Sequence, residues 1–552
     1  MADSRLARLD GLARRPRRLW EASGWWGQPP LWSRVRQTAL DDPGRVAVVD
    51  EEEGLCHYGD LWRGALRHAG AMRRSGVGRG DIVLAQLPNW REFVTLAVAA
   101  ETAGVVLALC PVHWGKRETA GAVAALRPRL WFTTTRPGRD ADRADLVQGV
   151  LAGLEWPPLA VLVRSGETPA GAVQLPDWMA PVESPAADTP VDGGAGLAPL
   201  EIAVTSGSAG EPKSVLHVHD TALAAVDSTI RRQRILPSDV IHVAAPVCHT
   251  FGYFYGVRCA LQAGGAMVLQ ERWGPRRMAE LTERHGVTVS LGPSVFLLEL
   301  LRGAATYRRA LGGVRFFTHA GDMLPAPVMQ RALEELPFRI SRAFGMTEFG
   351  HVTATDETTP TARLIDSVGS PQPEIEIRIA DERGGDIAPG EEGRILARGP
   401  FVFAGYLLAD RVDEEVLDAE GFFDTGDLGV LGADGHLSIT GRAKQIIRVG
   451  AENVPVALLE DIIASHPAVQ HAVVVGAPDA RLGLGEVPMA CVELRAGAAL
   501  ALEEIDRLLE RQGVTRKFWP VTLRILAEWP LGPTGKIDRR AVLALVADAG
   551  TR

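Results

Sequence analysis

Ten residues, Val204-Thr205-Ser206-Gly207-Ser208-Ala209-Gly210-Glu211-Pro212-Lys213, combine two glycines, three hydroxyl side chains and a lysine. Glycines let backbone N–H groups turn inward on an anion, and hydroxyls add donors. Lys213 supplies a charge that can follow a polyphosphate as it leaves. The stretch is not the common phosphate loop, because G-x-x-x-x-G-K-[ST] requires Gly where Pro212 stands. Taken alone, it also fits a surface turn between two strands.

The elements around the loop indicate what must position it. Ile202-Ala203-Val204 is an apolar run that predicts a buried strand entering the loop. Upstream, Asp81–Leu87 and Gly104–Leu109 read as strands separated by a helix over Arg91–Thr102, and Ala160–Val163 closes this unit. Strand, helix and strand with such apolar strands predict a mostly parallel sheet covered on both faces. Residues 165–196 are rich in Gly, Pro, Ala and Asp and predict a linker or long surface loop. Val240–Ala245, Ala266–Leu269 and Val287–Leu291 are strand candidates of a second α/β region ending near residue 360. From Glu374, short alternating segments such as Ile375–Ile379 and Gly393–Ala397 predict a smaller β-rich unit. A compact α+β tail follows Gly441-Arg442-Ala443-Lys444.

At 552 residues the chain is too long for one ordinary core. Its 59 basic and 68 acidic residues give a net charge of −9, which argues against a general nucleic-acid or anionic-membrane surface. No apolar run is long enough to span a bilayer. The first twenty residues carry charges throughout and have no apolar signal-peptide core. Five widely spaced cysteines without a C-x-x-C pair predict a reduced, cytoplasmic protein without structural disulfides or zinc. The tryptophans near the start (Trp20, Trp25, Trp26, Trp32) are expected to cap a core.

Further along, motifs succeed one another in a fixed order. After the loop come Ala245-Pro246-Val247-Cys248-His249-Thr250-Phe251-Gly252 and His319-Ala320-Gly321-Asp322. Arg342-Ala343-Phe344-Gly345-Met346-Thr347-Glu348, Asp424-Thr425-Gly426-Asp427, Gly441-Arg442 and Pro533-Thr534-Gly535-Lys536-Ile537-Asp538 complete the set. The succession, from about residue 40 to the end, resembles the adenylate-forming superfamily of acyl-CoA synthetases, luciferases and adenylation domains. In tone it is similar to the aryl and alicyclic acid ligases. The resemblance implies an α/β fold with a large N-terminal domain, 1–443, of two mostly parallel α/β sheets plus a β-rich subdomain. Its subdomains would span about 1–190, 191–360 and 361–443, and a small mobile α+β C-terminal domain would span 444–552.

The implied chemistry joins two anions, a carboxylate and the α-phosphate of ATP, so positive charge must offset their repulsion. Thr205, Ser206, Gly207, Ser208, Gly210 and Lys213 would wrap the β- and γ-phosphates. Glu348 would hold Mg²⁺, a hard cation suited to one carboxylate plus phosphate oxygens and waters, and Thr347 would contact the α-phosphate. Ala320, Gly321, Asp322 and Phe344 would form the adenine slot, Phe344 being equally readable as a core ring. Asp427 would accept both ribose hydroxyls, and Arg442 would reach the ribose or α-phosphate. Lys536 would bridge the attacking carboxylate and the α-phosphate as the catalytic cation. The tail would close on a hinge at Lys444 and rotate for attack by a thiol, CoA, along a path bordered by Gly450 and Ala451.

His249, Phe251, Gly252, Ser294, Met346 and Gly350 are the implied acid pocket. Amino-acid-activating relatives place an Asp after the His249 region; Thr250-Phe251-Gly252-Tyr253-Phe254 has none. The expected substrate is therefore an apolar carboxylic acid, aromatic, alicyclic or polycyclic. Four positions depart from the family's usual pattern: Ala209 stands for Thr, Ser214 for Gly, Gln445 for Asp and Ala451 for Gly. One lost charge-assisted hydrogen bond at Ala209 costs on the order of 1.5–3 kcal/mol. The leading expectation is an ATP- and Mg²⁺-dependent acid–CoA ligase. Its alternatives are an enzyme of one half-reaction, taking preformed acyl-AMP to CoA or adenylating an acid for a carrier protein, and a non-catalytic nucleotide- or acyl-binding protein.

Overall fold

Four-residue runs with no polar side chain, Ile82–Ala85 and Val106–Leu109, are buried at every position, as central strands of a sheet covered on both faces must be. The computed structural model describes all residues except 1–5, 7–16, 137–142, 181–192, 206–212, 322, 323, 325, 382, 410, 443–446, 450, 451, 479–484, 496, 527, 528, 531–538 and 549–552. The chain divides into two compact units, one of residues 1–112, 125–204 and 214–443, the other of 113–124, 205–213 and 444–552.

Two nine-stranded sheets dominate the first unit. One runs, in spatial order, Val412–Asp413, Gly405–Leu407, Lys213–Val218, Pro199–Thr205, Val106–Leu109, Ile82–Ala85, Leu130–Thr133, Leu159–Leu162 and Ala172–Gln174. The other runs Ser370–Pro371, Gly350–Ala354, Arg339–Met346, Phe316–Ala320, Val289–Pro293, Val240–Val243, Ala266–Leu269, Val46–Asp50 and Gly54–His57. The central pairs from Pro199–Thr205 to Leu159–Leu162 in one and from Arg339–Met346 to Ala266–Leu269 in the other are parallel, and Gly350–Ala354 and Gly405–Leu407 pair antiparallel towards the edges. A separate antiparallel sheet of Glu376–Ala380, Glu392–Arg398, Phe423–Leu431 and Leu437–Arg442 is the β-rich part.

The sheets are not contiguous in sequence. Val46–His57 completes the second sheet and Gly405–Asp413 the first, so cuts at about 190 and 360 do not follow the strands. The segment 165–196 is more than a linker: Ala172–Gln174 adds an edge strand and Leu175–Met179 a helical turn. Trp178 seats that turn, its ring 5.3 Å from Phe132 and its Nε1 donating to Ser75 Oγ at 3.0 Å. The early tryptophans do cap a core. Trp26 is buried and donates to the Pro400 carbonyl at 2.9 Å, and Trp20 packs edge-on against it.

In the second unit, Val469–Pro478 pairs antiparallel with Glu486–Leu494, which pairs in parallel with Thr522–Ile525. The helices Val456–Ala464 and Leu502–Arg511 cover a core that includes Val454, Leu459, Ile463, Val474, Ala490, Ile505 and Leu509. Both faces of these strands are buried, Val474 and Ala490 in that core and Val473, Val475 and Cys491 in a second cluster with Val542, and Leu502–Arg511 shows a stripe in which Ile505 and Leu509 are buried. Among the described residues no helix is long and apolar enough to cross a membrane.

Candidate active site

In open parallel sheets, ligands bind beyond the carboxyl ends of the strands, where loops diverge. Most of the described candidate residues of the first unit cluster at the ends of neighbouring strands in the second sheet. Phe316–Ala320 delivers Ala320 and Gly321. Gly321 has φ +107°, and a Cβ there would meet nothing within 4 Å, so the backbone is bare and open on that side. The adjacent parallel strand, Arg339–Met346, delivers Phe344 and Met346, and the chain then turns through Thr347 and Glu348. Phe344 is half-buried and packs against Val368, Ile379, Ile395 and Leu437, so it serves the β-rich core as well as the strand end.

The turn at Thr347 and Glu348 is fixed by two residues without obvious sequence signals. His217, in the Lys213–Val218 strand, brings Nε2 within 2.7 Å of the Thr347 carbonyl. A carbonyl only accepts, so Nε2 carries the proton there. His217 Nδ1 lies 3.3 Å from Thr221 Oγ1. Tyr406 donates its hydroxyl to Glu348 Oε1 at 2.8 Å, and the Phe403 N–H donates to the Glu348 carbonyl at 2.8 Å. Burial, then the Glu348 charge and its hydrogen bond, push the Tyr406 phenol far above its ordinary range, so it stays a donor. Among the described residues the carboxylate is thereby oriented by a neutral donor. No group of three or more His, Cys, Asp or Glu could hold a metal among the described residues. A metal at Glu348 would therefore complete its shell with phosphate oxygens and water, which suits Mg²⁺.

Asp427 lies in Phe423–Leu431, is 3% exposed, and sits opposite Arg442 in the antiparallel register. Its backbone N–H donates to Thr425 Oγ1 at 3.2 Å. Gly426 at φ +73° makes the turn that precedes it.

The residues expected to bound the acid lie largely on the helical segment Thr250–Ala263 and the strand Gly350–Ala354. Tyr253–Arg258 forms a π-helical turn inside that helix, a local widening common at functional sites. His249 caps the helix, Nδ1 accepting from the Phe251 N–H at 3.3 Å. Gly252 closes the first turn and is buried. Gly350 pairs with Met346, has φ +73°, and leaves no room for a Cβ, which would run into the Tyr255 hydroxyl. Ser294 begins the helix after Val289–Pro293, is fully buried, and lies 3.0 Å through Oγ from His319 Nδ1. Sequence reading passed over His217, Tyr406, Tyr255 and His351, and gave His319 no role beyond opening its motif. Isolated polar residues on strands and helices that otherwise read as core were their only signal.

Thr205 ends one strand and Lys213 opens the next. Ser206, Gly207, Ser208, Gly210, Asp322, Lys444, Gly450, Ala451 and Lys536 lie outside the described residues, as does the side chain of Arg442.

In the second unit, Glu452 is 8% exposed and is held by three donors. His113 Nε2 is 2.8 Å and Lys517 Nζ 2.6 Å from Oε1, and Trp114 Nε1 donates to Oε2 at 3.0 Å. Burial alone would raise this carboxyl. The His113 hydrogen bond and charge, with Lys517, outweigh it and hold the group well below the usual carboxylate range.

Residues 35–407 match the family model of the AMP-binding enzymes, and residues 458–536 match that of the AMP-binding enzyme C-terminal domain. The chain is 29% identical over 526 residues to the medium-chain fatty-acid–CoA ligase of Escherichia coli (strain K12), covering 95% of this chain and 91% of the relative. It is 30% identical over 533 residues to the salicyl-AMP ligase / salicyl-S-ArCP synthetase of Mycobacterium tuberculosis (strain ATCC 25618 / H37Rv), covering 95% and 92%. Among solved structures, the amide bond synthetase McbA of Marinactinospora thermotolerans superposes with a TM-score of 0.81 at 25% identity, covering 94% of this chain and 99% of McbA.

Proposed function

The chain belongs to the family of AMP-binding enzymes, and we propose that within it the protein is an acid–CoA ligase for an apolar, ring-bearing carboxylic acid. At the coarser level it is an adenylate-forming, AMP-forming acid–thiol ligase, as its relatives are named. In the first half-reaction a carboxylate oxygen bonds to the α-phosphorus of ATP and pyrophosphate leaves. In the second a thiolate sulfur bonds to the acyl carbon and AMP leaves.

The observation that carries the reading is the turn at the end of Arg339–Met346. There His217 grips the Thr347 carbonyl and Tyr406 aims the Glu348 carboxylate, and the parallel strand next to Arg339–Met346 runs out into the bare backbone of Gly321. The reading gives Thr347 the α-phosphate, Glu348 the Mg²⁺, Phe344 with Ala320 and Gly321 the adenine, and Asp427 the ribose hydroxyls. Mg²⁺, when bound, neutralises phosphate charge as the oxyanions approach. Lys536 would supply the ammonium between carboxylate and α-phosphate, with Thr205, Lys213 and the residues between them on the outer phosphates. Met346, Gly350, Phe251, Gly252, Ser294 and the His249-capped helix would bound the acid. Five buried cysteines, none in a disulfide among the described residues, suit a reducing, cytoplasmic setting.

Incubation with ATP, Mg²⁺, CoA and a panel of ring-bearing acids should release AMP and pyrophosphate with formation of thioester. Silence across a broad panel sinks the reading. Ala209 favours a second version, in which the protein accepts preformed acyl-adenylate. Thioester formation from synthetic acyl-adenylate and CoA, with no acid-dependent pyrophosphate exchange, would select it. Loading of a carrier protein in place of CoA would move this protein towards the salicyl-S-ArCP synthetase pattern of function.

A further inference from the structure

His351 follows Gly350 on the strand that bounds the implied acid pocket, and it is 4% exposed. Its ring lies flat on Tyr255, with centroids 3.5 Å apart and planes 4° from parallel. Phe251 stands 5.8 Å from it at a 58° tilt. Its backbone N–H donates to the Tyr255 hydroxyl at 2.6 Å, and its Nδ1 lies 3.3 Å from Thr229 Oγ1. One face, the main chain and one ring nitrogen are therefore committed to the helices His219–Gln233 and Thr250–Ala263.

The other ring nitrogen is not. His351 Nε2 is buried and has no hydrogen-bond partner among the described residues. Burial lowers the ring's pKa to about 3, so at neutral pH the imidazole offers one neutral donor or acceptor at Nε2 and no charge. An orphaned buried polar atom costs on the order of 1–3 kcal/mol, and such atoms are few in native folds. The ring that carries the orphan is flanked by two of the residues assigned to the acid pocket, Phe251 at 5.8 Å between ring centroids and Gly350 next in the chain. Gly350 contributes no side chain that could satisfy it.

Resting on the acid-ligase reading above, we propose that His351 is a specificity-determining residue: its Nε2 pairs with a hydrogen-bonding substituent on the ring of the acid. The substrate would then be an aromatic acid bearing a hydroxyl, amino or ring-nitrogen group, not a wholly apolar one. A site built to pair such a group rejects the analogue that lacks it, because its own polar atom is then left bare.

The test uses the full-length protein and compares benzoate with its ring-hydroxylated and ring-aminated isomers and with pyridine carboxylates. Equilibrium binding is measured by calorimetry, and turnover by acid-dependent pyrophosphate exchange. At least one substituted acid should bind about tenfold or more tightly than benzoate. His351→Phe, which keeps the stacked ring and removes both nitrogens, should bring that ratio to about one, and His351→Gln should restore part of it. Equal binding of all the acids, binding of none of the substituted ones, or a preference that persists in His351→Phe would each overturn the proposal. If His351→Phe does not fold, the wild-type preference and His351→Gln decide. Discrimination in binding with neither pyrophosphate exchange nor thioester formation from the acyl-adenylate and CoA would fell the ligase reading and leave this one standing, whereas exchange without discrimination would do the reverse.

Discussion

Glu201→Gln should make the large unit more stable, by an amount that grows with pH. Glu201 lies on Pro199–Thr205, opposite Leu107, and is 0% exposed. Neither carboxyl oxygen has a hydrogen-bond partner among the described residues. Arg258 is the nearest compensating charge, but its guanidinium is ion-paired with Glu101. Burial is the dominant influence on Glu201, Arg258 offsets part of it, and Glu101 adds to it, so the carboxyl is raised from 4.5 to about 8. Between those values the native protein keeps a proton that the unfolded chain has released. Stability therefore falls as pH rises, by up to about 1.4 kcal/mol per pH unit and on the order of 5 kcal/mol across the whole window. Glutamine has the same shape and does not titrate, so the difference between the two proteins isolates this one group. Urea unfolding of wild type and Glu201→Gln at pH 5, 6, 7, 8 and 9 reads it directly. The variant's advantage should widen from pH 5 to 8 and then level off. A difference that is flat over that range, or that narrows as pH rises, refutes the reasoning.

Tyr406→Phe removes the donor to the Glu348 carboxylate. A hydrogen bond to a charged group is worth about 1.5–3 kcal/mol, so kcat/KM should fall about tenfold or more, seen together with a higher Mg²⁺ requirement in a metal titration. Glu452→Gln takes the charge from between His113 and Lys517 and should destabilise the small unit by about 3 kcal/mol at pH 7. Because the native carboxyl is depressed, that difference should be full above pH 4.5 and shrink on acidification, measurable by paired denaturation curves. Burial lowers His68, His219 and His242 to about 4 and His319 and His351 to about 3. The unfolded chain takes up these protons first, so the melting temperature should drop between pH 6.5 and 4 and change far less from these groups between pH 7 and 8.

The sequence carried the sheets well, because a strand buried on both faces has to be apolar throughout. Ile82–Ala85, Val106–Leu109 and Ala266–Leu269 lie within or match the runs that predicted them. Ends were less legible: Val289–Pro293 sits two residues beyond the apolar run at Val287, since Gly292 and Pro293 extend its pairing with His319 and Ala320. Joining Val46–His57 and Gly405–Asp413 to sheets distant in sequence depends on long-range packing that local periodicity does not encode. At the candidate site, the motifs pointed to Thr347, Glu348 and Asp427, which the fold places at a strand-end turn and on the strand Phe423–Leu431. The residues that orient them were invisible, because Tyr406 is 58 and His217 is 130 positions from its partner. His249 was read as a pocket residue, and its geometry adds a second duty, capping the helix that carries Phe251 and Gly252.

The proposed function requires that Glu348 and Lys536 together allow a carboxylate to reach the α-phosphate. The most direct test is acid-dependent exchange of labelled pyrophosphate into ATP by wild type, Glu348→Gln and Lys536→Ala. Wild type should exchange, and each variant should lose about 10²-fold or more in rate while still melting cooperatively. Exchange by Lys536→Ala at the wild-type rate would contradict the account.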